Sequence, residues 1–92
     1  MKPQSSSFPL GTVVATANAL LHLDPADILK ALQRHQAGNW GLVGAEDWAA
    51  NDQALIEGTR LLSSYDSSEG VRFWIITEWD RSLTTVLLPE DY

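Results

Sequence analysis

Cysteine is absent from this 92-residue chain, which excludes disulfides and thiolate metal ligands. Basic residues are scarce: six Lys and Arg stand against twelve Asp and Glu, for a net charge of −6. Charged residues make up 20% of the chain, below the usual share of about 25%, so the negative balance comes from missing bases rather than crowded acids. Without a cationic footprint there is no counterion release to drive direct nucleic-acid binding, and no attraction to an anionic membrane surface. A DNA mimic would need a denser acidic face. No apolar run reaches the length of a membrane span. The opening MKPQSSSFPLG has one lysine and no apolar stretch of signal length, so a secretory signal is not expected and the cytoplasm is the expected location.

What is present suffices for one packed core. Hydrophobic residues make up 45% of the chain and include four tryptophans, each able to remove about 150–250 Å² from water. At this length the expectation is a flexible N-terminal segment, 1–9, followed by a single domain over 10–92.

The fold class expected is α+β. Leu10 to Ala15 leans towards a strand, after which Thr16 could cap a brief helical turn; a continuous helix from Gly11 is the rival, so 10–21 holds a short strand or helix. Asp24-Pro25-Ala26-Asp27 is a strong helix start, with a capping acid and a proline at the first helical position. It predicts a helix over about 25–37, closed by Gly38 with Arg34 and His35 in the last turn. A second helix, about 45–58, opens on Glu46 and Asp47, with Trp48, Leu55 and Ile56 as its expected buried stripe. After Gly58 the period becomes two, giving strands at about 60–65, 71–77 and 83–88 as an antiparallel three-stranded meander packed against the two helices. Both sides of Val71 to Thr77 are largely apolar, as in a central strand covered on two faces.

Candidate sites are few. The turn Thr77-Glu78-Trp79-Asp80-Arg81-Ser82 gathers two carboxylates, a guanidinium, a hydroxyl and an indole on a hairpin. Its plainer role is a tight turn, with Asp80 bonding nearby amides. Glu46, Asp47, Asp52 and Glu57 form an acidic helix face, either simply solvated or a docking surface for a protein. His35, beside Asn39 and Trp40, could serve as a base, although no nucleophile stands at motif spacing and a structural role fits better. His22 is the only other imidazole and no H-x-x-x-H pair is present, so neither a metal nor any other cofactor is expected. Pro89 to Tyr92 is either a recognition tail or a cap on the sheet.

His35, Trp40-Gly41, Glu46-Asp47, Asn51-Asp52, Leu55, Gly58, Arg60 to Ser63, Trp74 to Glu78, Asp80 to Ser82 and Leu87 to Pro89 together resemble a small bacterial family without assigned activity. Its pattern is close to RHxxGDWG…ED…AN…L..G.RLLS.Y, followed by WIITEADRSxTTxLLPEEY, and the likeness runs from about Val13 to Tyr92. Such members sit on plasmids, integrated elements and phage-related islands. The chain departs at Asn39, where the family often has Asp, and at Trp79, where it often has Ala. The resemblance implies an accessory protein of a mobile element. With the small size and acidic balance, it leads to the expectation of a non-enzymatic protein-binding module, most concretely an inhibitor of a host-defence complex (anti-CRISPR or anti-restriction). Its contacts would be Glu78, Trp79, Asp80 and Arg81 on the turn, with Glu46, Asp47 and Asp52 on the helix. The alternatives are a small enzyme or ligand-binding domain using His35, Asp80 and Arg81, and a self-associating structural domain; monomer and dimer both stay open.

Overall fold

The short apolar run after Gly11 becomes a strand, and it changes the sheet. In the computed structural model, which describes residues 8–92, β1 (Thr12–Ala15) leads through Thr16 into α1 (Ala17–His22) and then α2 (Pro25–Gln36). After a loop come α3 (Ala45–Glu57), β2 (Leu61–Asp66), β3 (Arg72–Thr77), β4 (Leu83–Leu87) and a closing 3-10 turn (Pro89–Asp91). The architecture is α+β, but the three-stranded antiparallel meander on two helices requires correction. The sheet has four strands in the order β1-β4-β3-β2 and is mixed, because β1 runs parallel to β4, and a third helix follows β1. Antiparallel pairing of β2 with β3 and of β3 with β4 is local and follows from two hairpin turns. The β1–β4 pair joins opposite ends of the chain, with Thr12 beside Leu83 and Ala15 beside Val86, a register no local pattern announces. The lead-in expected over 1–9 lies outside the described residues as far as Ser7; Phe8 is buried.

Local chemistry accounts for the helices. Asp24 caps α2 by accepting from the Ala26 amide at 2.8 Å, with Pro25 at its first position. Thr16 caps α1 by accepting from the Ala19 amide at 3.1 Å while donating its own hydroxyl proton to Asp91 at 2.6 Å. Gly58 closes α3 in the left-handed conformation. The expected stripe of α3 is shifted: Ile56 faces solvent, and Asn51 and Ala54 turn inward instead. Asn51 earns that place by clipping the outer edge of β2, donating to the Leu62 carbonyl at 2.8 Å and accepting from the Leu62 amide at 3.1 Å.

The same edge is closed further along by the loop before α3. Ser64 donates to the Trp40 carbonyl at 3.2 Å and accepts from the Leu42 amide at 2.7 Å, so Trp40 to Leu42 acts as a one-bridge extra strand. Gly41 makes the approach possible. Its φ is 77°, and a β-carbon there would lie 2.1 Å from the Ser64 carbonyl oxygen.

One core cluster lies between the sheet and α1 and α2, built on Ala19, Leu23, Ala31, Phe73, Ile75 and Val86. The second gathers Phe8, Trp40, Ala54 and Leu61 under α3. Trp40 is fully buried, worth about 5 kcal/mol as an upper bound from roughly 200 Å² removed from water. Its indole N–H is not stranded, because it donates to Asp52 at 3.0 Å. On the other face of the sheet the C-terminal turn folds back, placing Tyr92 against Trp74 at 5.8 Å between ring centroids and its hydroxyl 2.6 Å from Arg60. Among the described residues, no helix is long and apolar enough to cross a membrane.

Gly41 and Gly58 provide a matched test of this packing. Both have φ near 77°, but a β-carbon at Gly58 would meet nothing within 4 Å. Gly58→Ala is expected to cost about 1 kcal/mol from backbone strain, and Gly41→Ala more than about 3 kcal/mol from strain plus collision, read as shifts in urea midpoint.

Candidate functional site

His35 lies at the centre of a fully buried polar cluster. α2 delivers it in its last turn onto the inner face of the sheet, where alternation places Ser63 on β2, Thr77 on β3 and Thr84 on β4. All four side chains are buried. His35 Nδ1 is 2.5 Å from Ser63 Oγ, and Nε2 is 2.9 Å from Thr77 Oγ1. Thr77 Oγ1 is 2.7 Å from Thr84 Oγ1, which donates to the Leu10 carbonyl at 2.7 Å.

That last bond sets the direction of the whole relay. A carbonyl oxygen can only accept, so Thr84 gives its proton to Leu10 and accepts from Thr77. Thr77, its proton committed, must accept from His35. The imidazole therefore carries its proton on Nε2, and Nδ1 accepts from the Ser63 hydroxyl. Every donor and acceptor in the line is used with the ring neutral. Phe8 and Trp40 close the ring edge-on, with centroids at 5.4 and 5.5 Å. Burial, with the Arg81 cation as a smaller contribution, pushes the His35 pKa from 6.5 down to about 3.

The β3–β4 turn is held as firmly from outside. Asp80 Oδ1 accepts from the Ser82 amide at 3.1 Å and the Ser82 hydroxyl at 2.7 Å, and these bonds hold its carboxyl below the usual range. Arg81 sits at φ 61°, the one described non-glycine residue with positive φ. Its guanidinium donates to the carbonyls of Thr59 at 2.7 Å, Ala54 at 3.1 Å and Glu78 at 3.1 Å. α3 has no base in its own last turn, so Arg81 supplies from across the fold the cation that the helix's negative end favours. Its charge also lies over the Phe8 ring, 5.7 Å from the centroid.

The sequence-derived candidates are thus sorted by what already occupies them. Asp80 and Arg81 are engaged in bonds that shape the turn, and Asp52 holds the Trp40 indole. Glu78 is half-buried, with its backbone amide on the Leu83 carbonyl at 2.9 Å. Trp79 is 66% exposed, and no described ring or hydrogen-bond partner holds it. Glu46 and Asp47 are exposed in the first turn of α3. That places them at the opposite end of the helix from the Arg81 turn, about 15 Å along the axis at 1.5 Å per residue. His35, Asp80 and Arg81 share no open surface: His35 is enclosed, and Phe8 lies against both it and Arg81. Among the described residues, no three His, Asp or Glu side chains gather as a metal site would require.

Sequence reasoning missed the partners of His35. The signal was present: Ser63, Thr77 and Thr84 occupy the inward parity of strands whose other inward positions are Leu61, Tyr65, Phe73, Ile75 and Val86. It also missed Asn51, whose place on α3 shows its purpose only once β2 lies beside it. The C-terminal tail is used internally, with Asp91 accepting from Thr16 and from Asn18 at 2.7 Å.

The depressed His35 pKa makes stability depend on pH with a definite sign. The unfolded chain takes up a proton below pH 6.5 that the folded one refuses until about pH 3. The contribution is therefore complete above pH 6.5 and is lost as pH falls through that window, at up to about 1.4 kcal/mol per unit. Urea midpoints measured between neutrality and about pH 4 should show this slope in the wild type and lose it in His35→Gln. At the turn, Arg81→Ala is expected to cost about 2 kcal/mol and Arg81→Gly about 1 kcal/mol, because glycine relieves the φ while both lose the three bonds. Trp79→Ala should stay within about 0.5 kcal/mol of wild type.

No family model, curated protein or solved structure matches this chain.

Proposed function

We propose that this chain is a small protein-binding accessory module of a mobile element, which contacts its partner through the Trp79 turn and acts as an inhibitor of a host-defence complex of the CRISPR or restriction kind. The observation that carries the reading is Trp79 itself. A 66% exposed indole stands on a turn whose backbone is fastened by Asp80, Ser82 and Arg81, so the aromatic is presented without a large loss of loop freedom on binding. Tryptophan is also among the residues that most often dominate protein interfaces. Glu46 and Asp47 add a separate acidic patch that would steer a basic partner surface. The resemblance to mobile-element proteins, the small size and the scarcity of bases support a protein rather than a nucleic acid as target.

The reading is tested in bacteria that carry an active CRISPR or restriction system, by phage plating efficiency with and without the protein. Wild type should raise plating, and Trp79→Ala should lose at least about tenfold of that gain while retaining the wild-type urea midpoint. Absence of protection by wild type against both kinds of system, together with no stoichiometric partner on affinity capture from the host, would sink it.

A further inference from the structure

The two edges of the sheet are treated in opposite ways. The β2 edge is occupied at Leu62 by Asn51 and at Ser64 by Trp40 to Leu42. The β1 edge has no such cover among the described residues. The Thr12 amide bonds the Ser82 carbonyl and the Thr16 amide bonds the Val86 carbonyl, so with a period of two the even-numbered residues of β1 face β4. Val13 and Ala15 therefore turn their amides and carbonyls outward. Sheet edges are ordinarily guarded by lysine, proline or a bulge, and Thr12-Val13-Val14-Ala15 has none of these.

Beside this edge lies a groove of about 440 Å³ whose lining contains no charged residue. β1 forms one wall, and Leu20 of α1 with Ile28, Leu29 and Leu32 of α2 forms the other. The surface around it is unusually apolar: Val13 is 44% exposed, Val14 41%, Leu20 63%, Leu21 77% and Leu29 58%. Val13, Leu20, Leu21 and Leu29 lie on the helix side of this edge, while Val14, paired with Thr85, sits on the opposite face of the sheet. Around the edge the exposed apolar surface is on the order of 400–500 Å², within the range of the largest patch of a typical monomer.

We infer that this face is a dimer interface, in which β1 pairs antiparallel with β1 of a second copy to make one continuous eight-stranded sheet. The outward groups limit the register to odd residues facing odd residues, and pairing Val13 with Ala15 uses the whole of β1. Val13 of one chain exchanges two hydrogen bonds with Ala15 of the other and the reverse, which places Val14 on the twofold axis opposite itself as a non-hydrogen-bonded pair. A twofold axis perpendicular to the sheet leaves both helix layers on one side, so Leu20, Leu21 and Leu29 of each copy meet their counterparts. Two such edges total on the order of 800–1,000 Å², the size of a weak, concentration-dependent interface. Each chain carries −6, so net charge opposes association, but none of it lies in the groove lining and the repulsion acts at long range, where salt screens it.

The natural absence of cysteine makes the test direct. Val14→Cys puts a single thiol on each chain, and a non-hydrogen-bonded pair has Cα atoms about 4.5 Å apart, within disulfide reach. Mild oxidation should convert most of this variant to a covalent dimer, whereas Ile56→Cys, on the exposed side of α3, should stay monomeric. Sedimentation of wild type from low micromolar to near-millimolar concentration should show the mass doubling, with tighter association at higher salt. Val14→Lys, at an exposed position and facing its own copy across the axis, should weaken association at least about tenfold without moving the urea midpoint of the dilute chain. Trp79→Ala should dimerise as wild type does, which keeps the outcome separate from that of the turn. A wild type that stays monomeric throughout would overturn the pairing and leave the edge to a foreign strand or to residues 1–7. A dimer that survives Val14→Lys, or a failure of Val14→Cys to cross-link, would overturn it by placing the interface elsewhere.

Discussion

One imidazole joins four parts of this molecule, and it can do so only while uncharged. His35 brings the end of α2 to Ser63 on β2 and Thr77 on β3, and through Thr84 on β4 the line of protons ends at the carbonyl of Leu10. Each bond has one allowed direction, because the terminal acceptor has no proton to give. No buried side-chain polar atom among the described residues is left without a partner. In a core this small, a single unpaired buried group would cost about 1–3 kcal/mol, a large share of ordinary domain stability. The relay also reaches Leu10, two residues before β1, and so links the parallel edge strand to a histidine in the middle of the chain.

Charged side chains solve the remaining problems of the fold, and Asp52 and Asp80 do so while staying exposed. Arg81 neutralises the end of α3 and tolerates a left-handed backbone to reach it. Asp52 satisfies the indole of Trp40, Asp80 shapes the turn, and Asp91 ties the C-terminal turn to the start of α1. Among the groups that folding leaves unengaged in the described residues are Trp79 on its rigid turn, Glu46 and Asp47 at the far end of α3, and the uncharged edge of β1. The first two belong to the proposed contact with a host protein, and the third to self-pairing. The Trp79 turn adjoins the start of β1, where the Thr12 amide bonds the Ser82 carbonyl, whereas Glu46 and Asp47 lie at the far end of α3.

Much of the architecture was legible because it is local. Asp24-Pro25 starts α2, Gly58 ends α3, and the alternation of Arg72 to Thr77 marks a strand apolar on both faces; each signal is read within a few residues and each element formed within a residue or two of its expected bounds. Ile56 misled because helical spacing alone cannot rank two adjacent apolar positions. Asn51 took the inward place because an open strand edge at Leu62 needed a donor and an acceptor together. Trp79 was legible as an anomaly, a large aromatic in a polar turn, and it is exposed. Ser63, Thr77 and Thr84 were visible as polar residues at inward parity, but their meaning waited on the register that aligns three strands under one ring.

The sequence by itself determined which segments after residue 21 would be helix or strand, about where they would stop, and that no thiol and little positive charge would be available, since these follow from composition and from contacts between near neighbours. Tertiary structure alone decided that β1 would run parallel to β4, that His35 would be a neutral bridge rather than an exposed base, and that, among the described residues, one sheet edge would be closed and the other left open. Those outcomes depend on groups that the chain separates widely and only folding brings within hydrogen-bonding distance, where burial removes the water that would otherwise have served each of them.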